Sequence, residues 1–312
     1  MFRRRFILLK TSMLRRRFIL LNALVSALCL ATQAQEARRL SVAVLDLGGT
    51  GTGVRVTERL AKMLAAASDA RGPTRLALLD RGMSGAAARG VGYAGSLNLT
   101  LDDARALGAA VGCDFYLTGD AQTIRRSASA RPVYFEAYAS VFVVSARTGR
   151  LVLWERPTAE ADTADGAESS LLAALDSRVG ARYAAAILDA AARAERERSE
   201  ASAETASVID LSADASAHAD LREPAPYRRL RPAYTDAASR AEAEATVDAE
   251  VEIGADGEVG RVRVVRWAGF GLDEEVVSTV RQMHFRPAMR DGEPVAVRVL
   301  LRYNFRRPPK TN

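Results

Sequence analysis

The chain has 312 residues, with 44 Lys and Arg against 38 Asp and Glu, a formal net charge of +6, two Cys and two His. Seven of the basic residues (Arg3, Arg4, Arg5, Lys10, Arg15, Arg16 and Arg17) fall within residues 1–35, which hold no acid, leaving 37 against 38 in the rest. That balance excludes the basic footprint of a nucleic-acid binder. His218 and His284 are too few and too far apart to suggest zinc.

The N-terminus carries the words RRRFILL twice, at residues 3–9 and 15–21, so Met13 competes with Met1 as the start. An apolar run, Phe18–Leu30, then leads to Ala31-Thr32-Gln33-Ala34. Positive residues, a short apolar core and small residues before Gln35 read as a secretory signal over 1–34, cleaved after Ala34. The alternative is an uncleaved signal anchor, because Phe18–Ala34 reaches the lower limit of the roughly 17–25 residues that a spanning helix needs. The first reading places the chain in the periplasm. The second holds it at the inner membrane by 18–34, with its domains in the periplasm. Leu28 is too large for a lipidation site at Cys29, and Cys113 reads as a small buried hydrophobe.

Residues 38–197 read as an α/β domain. Leu40–Leu47 is an apolar run closed by Gly48-Gly49 and predicts a buried strand. Val54–Ala67 predicts a helix with Val56, Leu60, Met63, Leu64 and Ala67 inward, and Arg75–Leu79 a second strand. Leu101–Val111 predicts a helix that Asp102 and Asp103 start, and Phe115–Gly119 the strand after it. Val133–Ser145 and Arg150–Glu155 predict a hairpin with Gly149 supplying positive φ at its tip. One long helix is expected over Ala167–Glu197, with Leu171, Leu175, Val179, Tyr183 and Ile187 on its stripe. Alternation of strands and helices argues an α/β layer.

Residues 198–225, rich in Ala, Ser, Glu and Asp, read as a polar linker unable to bury enough surface to fold alone. Residues 226–307 follow a β, β, α, β order. Thr246–Ile253 and Glu258–Trp267 are strands around a Gly254-Ala255-Asp256-Gly257 loop. The expected register sets Val251 opposite Gly260, Glu250 opposite Arg261, Ala249 opposite Val262, Asp248 opposite Arg263 and Val247 opposite Val264. A helix over Asp273–Met283 places Leu272, Val276, Val277, Val280 and Met283 on one stripe, with acids in its first turn where the dipole favours them. Val295–Phe305 closes the domain as an alternating strand with one wet face. The expected fold class is α+β / α/β, an N-terminal α/β domain joined by a polar linker to a small ββαβ domain.

Candidate chemistry is sparse. The run Gly48-Gly49-Thr50-Gly51-Thr52-Gly53 opens a helix, but it lacks the Lys-Ser/Thr of a P-loop and the GxGxxG spacing, and reads as a flexible turn. Gly82-Met83-Ser84-Gly85 misses the nucleophile-elbow spacing by a residue. Asp102-Asp103 reads as helix-start chemistry rather than paired acids. No catalytic constellation is legible, so the expectation is a chain that is not an enzyme, with no cofactor and no metal.

The stretch 225–307 resembles the C-terminal domain of TonB-type energy transducers. The likeness rests on the opening Arg231-Pro232-Ala233-Tyr234, the hairpin with its Asp-Gly turn and the string Ala268-Gly269-Phe270-Gly271-Leu272-Asp273. It rests also on Phe285-Arg286-Pro287-Ala288, Asp291-Gly292-Glu293-Pro294-Val295 and the closing aromatic strand. Thr235 stands where that family usually has proline, Ala245 where a glycine is common, and His284 where tryptophan is frequent. Residues 38–197 more weakly resemble the CsgG/TolB N-terminal type of periplasmic domain, through VAVLDL, the pattern at Leu107–Gly119 and the Thr148–Leu151 turn. The chain lacks the long proline-rich spacer typical of energy-transducing TonB.

The TonB likeness implies a module that takes up an extended peptide of an outer-membrane transporter along an exposed sheet edge. It implies edge contacts at Val297, Arg298, Val299, Leu300, Leu301 and Arg302, with Pro232 and Tyr234 in an entry segment. Arg298 and Arg302 are expected to guard that edge against self-pairing. Inner-membrane motor proteins become partners if the anchor is retained, and a homodimer is a further possibility. The rival reading is a periplasmic scaffold or adaptor without energy transfer.

Overall fold

The computed structural model describes residues 38–67, 74–129, 131–178, 182–200, 208–212 and 221–307. The expectations for the export segment 1–34, for Cys29, Val179 and His218 lie outside those residues. Among the described residues no helix is long and apolar enough to cross a membrane.

The N-terminal region is built from β1 (Arg38–Val44), α1 (Gly51–Ala67), β2 (Thr74–Leu78), α2 (Arg81–Gly90), α3 (Leu101–Val111), β3 (Phe115–Ala128) and β4 (Arg131–Ser145). It continues through β5 (Leu151–Glu155), β6 (Thr158–Ala161), α4 (Ala164–Arg178) and α5 (Ala184–Glu200). The strands form one sheet in the order β2-β1-β3-β4-β5, with β6 also on β4. β1 runs parallel to β3, and β3 and β4 form a long antiparallel pair.

Period-two alternation divides the sheet's side chains between two apolar layers. Val42, Val44, Leu117, Val141 and Val143 meet Leu60, Leu64, Leu171, Leu175, Tyr183 and Ile187 of the helical layer. On the opposite face Ala43, Tyr116, Phe142 and Val144 meet Ala88, Ala104 and Leu107. Within the helix expected over Ala167–Glu197 the described residues form α4, which reaches Arg178, and α5, which starts at Ala184 after a π-helical pair at 182–183; residues 179–181 lie outside the description. Tyr183 and Ile187 are nonetheless buried, as the stripe required. α2 and β6 had no counterpart in the sequence reading. α2 begins at an N-cap, Asp80, which accepts a hydrogen bond from the Met83 amide.

The C-terminal region begins inside the stretch expected to be a linker, with β7 (Ile209–Asp210), β8 (Leu221–Arg222) and β9 (Ala225–Pro226). It continues with α6 (Asp236–Ala241), β10 (Ala245–Ile253), β11 (Val259–Arg266), α7 (Leu272–Val280), β12 (Phe285–Arg286), β13 (Ala288–Arg290), β14 (Glu293–Val295) and β15 (Val297–Phe305). The main sheet has the order β11-β10-β15-β7. α7 lays Leu272, Val276 and Val280 on Val247, Ala249, Val251 and Ile253. Leu211 and Leu221 are buried in this same core, so part of the polar stretch is structural. Its few leucines, diluted by acids and serines, were too sparse to register as a core contribution.

The β10–β11 register differs from the expected one. Val251 faces Val262, Glu250 faces Arg263, Ala249 faces Val264 and Asp248 faces Arg266. The loop takes in Glu258, whose carbonyl accepts from the Gly254 amide, and two bulges shift the ladder further. The apolar face survives because valine still meets alanine or valine. What changes is the arginine partner of each acid.

Candidate functional site

β15 pairs with β10 along its whole length, from Ile253 opposite Val297 to Ala245 opposite Phe305, without a register shift. Val297, Val299, Leu301, Tyr303 and Phe305 turn toward the core. Arg298, Leu300, Arg302 and Asn304 take the other face, and Leu300 is 38% exposed.

The rim expected to be open is filled over its first two residues. β7 lies parallel to β15, with Ile209 opposite Val297 and Asp210 opposite Arg298. The Ile209 amide donates to the Ala296 carbonyl at 3.1 Å, and the Leu211 amide to the Arg298 carbonyl at 2.8 Å. Ser212, the last described residue of this segment, donates both its amide and its hydroxyl to Asp210 Oδ1. Since Arg298 turns its carbonyl outward, strand alternation turns the amides and carbonyls of Leu300, Arg302 and Asn304 the same way. Among the described residues no strand pairs with the rim past Arg298.

The two arginines expected to guard this rim are tied down by acids. Arg302 forks onto Asp248 at 2.7 and 3.0 Å, and Arg266 reaches the same carboxylate at 3.2 Å. Burial works against charge on Asp248, yet the two arginines hold its carboxyl below the usual range. Arg298 is shared between Glu252 at 2.8 Å and Asp210 at 3.1 Å. The entry residues are structural as well. Tyr234 packs against the core with its hydroxyl 2.8 Å from the Ala243 carbonyl, and Pro232 is half-buried. Thr235, at the position where proline was expected, accepts from the Ala238 amide at the start of α6 and donates to the Phe270 carbonyl at 2.6 Å.

A feature the sequence reading missed lies in the Trp267–Asp273 stretch. Trp267 is fully buried among the residues of the N-terminal sheet, and its indole N–H donates to the Gly149 carbonyl at 3.1 Å. Phe270 meets Trp154 and Phe142 with ring centroids 4.8 and 5.8 Å away. Gly269 sits at φ +73°, and a Cβ there would fall 2.6 Å from the Phe142 ring. Asp273 clamps the loop by accepting from the amides of Ala268 and Gly269, both at 2.8 Å. Burial pushes its carboxyl up to about 7 despite those two donors. Asn98 adds hydrogen bonds to the Thr246 and Trp267 backbones. The only available signal was two aromatics in a glycine-rich string after a strand.

Between β5, β11 and α7 lies a cleft of about 1750 Å³, bordered by Trp154, Val262, Val264, Asp273, Val277 and Arg281. Among the described residues no group of His, Cys, Asp and Glu is placed to hold a metal. The glycine run that opens α1 serves packing: a Cβ at Gly53, in the first turn, would fall 2.4 Å from the Leu47 carbonyl. Ser84 is buried and donates to the Asp80 carbonyl. Asp103 completes a capping box with Thr100.

Residues 231–306 match the family model described as Gram-negative bacterial TonB protein C-terminal. Among solved structures, the chain is similar to a Pseudomonas aeruginosa TonB CTD at 22% identity, over 34% of this chain and 100% of that one, with a TM-score of 0.26. It is also similar to the hypothetical protein CT253 of Chlamydia trachomatis at 12% identity, over 46% of this chain and 99% of that one, with a TM-score of 0.30. Among curated proteins there is no match. Residues 231–306 therefore form a TonB C-terminal domain.

Proposed function

We propose that this chain is a cell-envelope protein whose C-terminal domain binds an extended peptide by strand addition along β15, in support of transport across the outer membrane. The contacts are Val297, Arg298, Val299, Leu300, Leu301 and Arg302, with Pro232 and Tyr234 shaping the approach. Main-chain hydrogen bonds supply affinity, and alternate side chains supply specificity. One observation carries the reading: β15 already accepts a parallel strand at Val297 and Arg298, and its ladder continues outward beyond it. The partner is the extended N-terminal peptide of an outer-membrane transporter, and the compartment is the periplasm. The test is amide exchange of the full chain with and without such peptides. Protection at Leu300, Arg302 and Asn304 is the expected result, and binding that maps elsewhere sinks the reading.

A second reading is a periplasmic scaffold without energy transfer. It is favoured by the seating of Trp267 and Phe270 in the N-terminal aromatic cluster, which joins the C-terminal domain to a neighbouring fold. N-terminal sequencing of the protein from fractionated cells separates the two. A mature start at Gln35 favours the scaffold, whereas an intact chain in inner-membrane fractions favours force transmission.

A further inference from the structure

We infer that the segment Val208–Ser212 is a resident, displaceable ligand of the β15 rim, so that an incoming strand must match its aliphatic–acidic–aliphatic pattern to replace it. The inference rests on the strand-addition reading and adds to it a ligand chemistry and a means of control.

Four observations converge. The segment occupies the rim with only two paired residues, held by the amides of Ile209 and Leu211 on the carbonyls of Ala296 and Arg298. It presents one acid, Asp210, to Arg298, whose other contact is Glu252. Ile209 and Leu211 both face the core while Asp210 between them faces Arg298, so side chains alternate as an added strand requires. Ser212, where the described segment stops, holds Asp210 Oδ1 with its amide and hydroxyl, and among the described residues none pairs with the outward groups of Leu300, Arg302 and Asn304.

A tethered strand competes at an effective concentration on the order of millimolar, set by its linker rather than by its abundance. A free peptide therefore binds with its affinity reduced by the fraction of molecules in which the rim is vacant. A competitor running the length of β15 gains the hydrogen bonds that Val208–Ser212 leaves unmade. It needs a carboxylate at the Asp210 position, because Arg298 would otherwise lose a partner it now has. A basic residue there would face Arg298 directly.

The experiment uses the full chain and a fluorescent peptide of sequence Val-Ile-Asp-Leu-Ser extended by three valine and threonine residues. Ile209→Pro removes the donor to Ala296, and Asp210→Arg reverses the charge facing Arg298. The double variant should bind the peptide about tenfold more tightly than the native chain. Asp210→Arg alone, which keeps every backbone donor, should shift in the same direction by less. A peptide with Lys in place of Asp should lose the gain. In the native chain, excess peptide should also speed amide exchange at Ile209 and Leu211, a reading that needs no variant to fold. Equal affinity for native and variant chains, with unchanged exchange at Ile209 and Leu211, overturns the resident-ligand inference and leaves strand addition standing. Failure of the peptide to bind any form, with no protection at Leu300, Arg302 and Asn304, removes both.

Discussion

The two strands that flank β10 in the C-terminal sheet are managed in opposite ways. β11 is bulged twice against β10, and its far end is pinned by a bridge between Thr100 and Arg266 and by the burial of Trp267. β15 is unbulged over nine residues and takes on a further strand at one end. Bulges sharpen twist and spoil an edge as a template, whereas a straight ladder invites pairing. On the strand-addition reading proposed above, the unbulged rim is the one suited to an added strand, and irregularity on the other keeps the choice single.

The largest test of that contrast is Trp267→Ala. Removing a fully buried indole should cost about 3–5 kcal/mol, read as a lowered denaturant midpoint, and should leave β11 amides near Arg266 exchanging faster while β15 is unaffected. Next comes pH. Asp273 is raised from 3.8 to about 7 by burial, so the stability it contributes is full below pH 4 and is lost as pH rises through 7. The advantage of the native chain over Asp273→Asn should shrink across that window by a few kcal/mol at most, since each tenfold change in proton affinity is worth about 1.4 kcal/mol. Urea titrations at pH 4.5, 6 and 8 check it.

Leu300→Pro removes an outward amide from the receiving rim. It should weaken an added peptide about tenfold, roughly the worth of one good hydrogen bond, with little change in melting temperature. The smallest effect belongs to Arg263→Ala, which breaks an exposed pair with Glu250 on the bulged side. Surface pairs contribute about 0.2–1 kcal/mol, so peptide binding by titration calorimetry should stay unchanged.

Much of the fold was legible because it follows from period. The alternation of β15, the stripe of α7 and the boundaries of α3 could each be read from side-chain spacing, and local chemistry such as the Asp103 cap came with them. The hairpin register was not, because bulges depend on how the strand meets its neighbours rather than on which residues it contains. Val251 and Ala249 find valines in the observed register, and a small shift leaves the face apolar, so the pattern could not decide between them. The seating of Trp267 in the N-terminal cluster and the arrival of Val208–Ser212 on the rim are both long-range events. Two or three apolar residues in a polar stretch carry no period from which either could be inferred.

The sense in which Ile209 and Asp210 lie on β15 also sets a direction of travel. A guest lying the same way begins beside the loop at Gly254–Glu258 and leaves past Phe305, where Arg307 pairs with Glu242. Whatever body that guest belongs to hangs from the Phe305 end if its binding segment is a leader, and from the loop end if the segment is a tail.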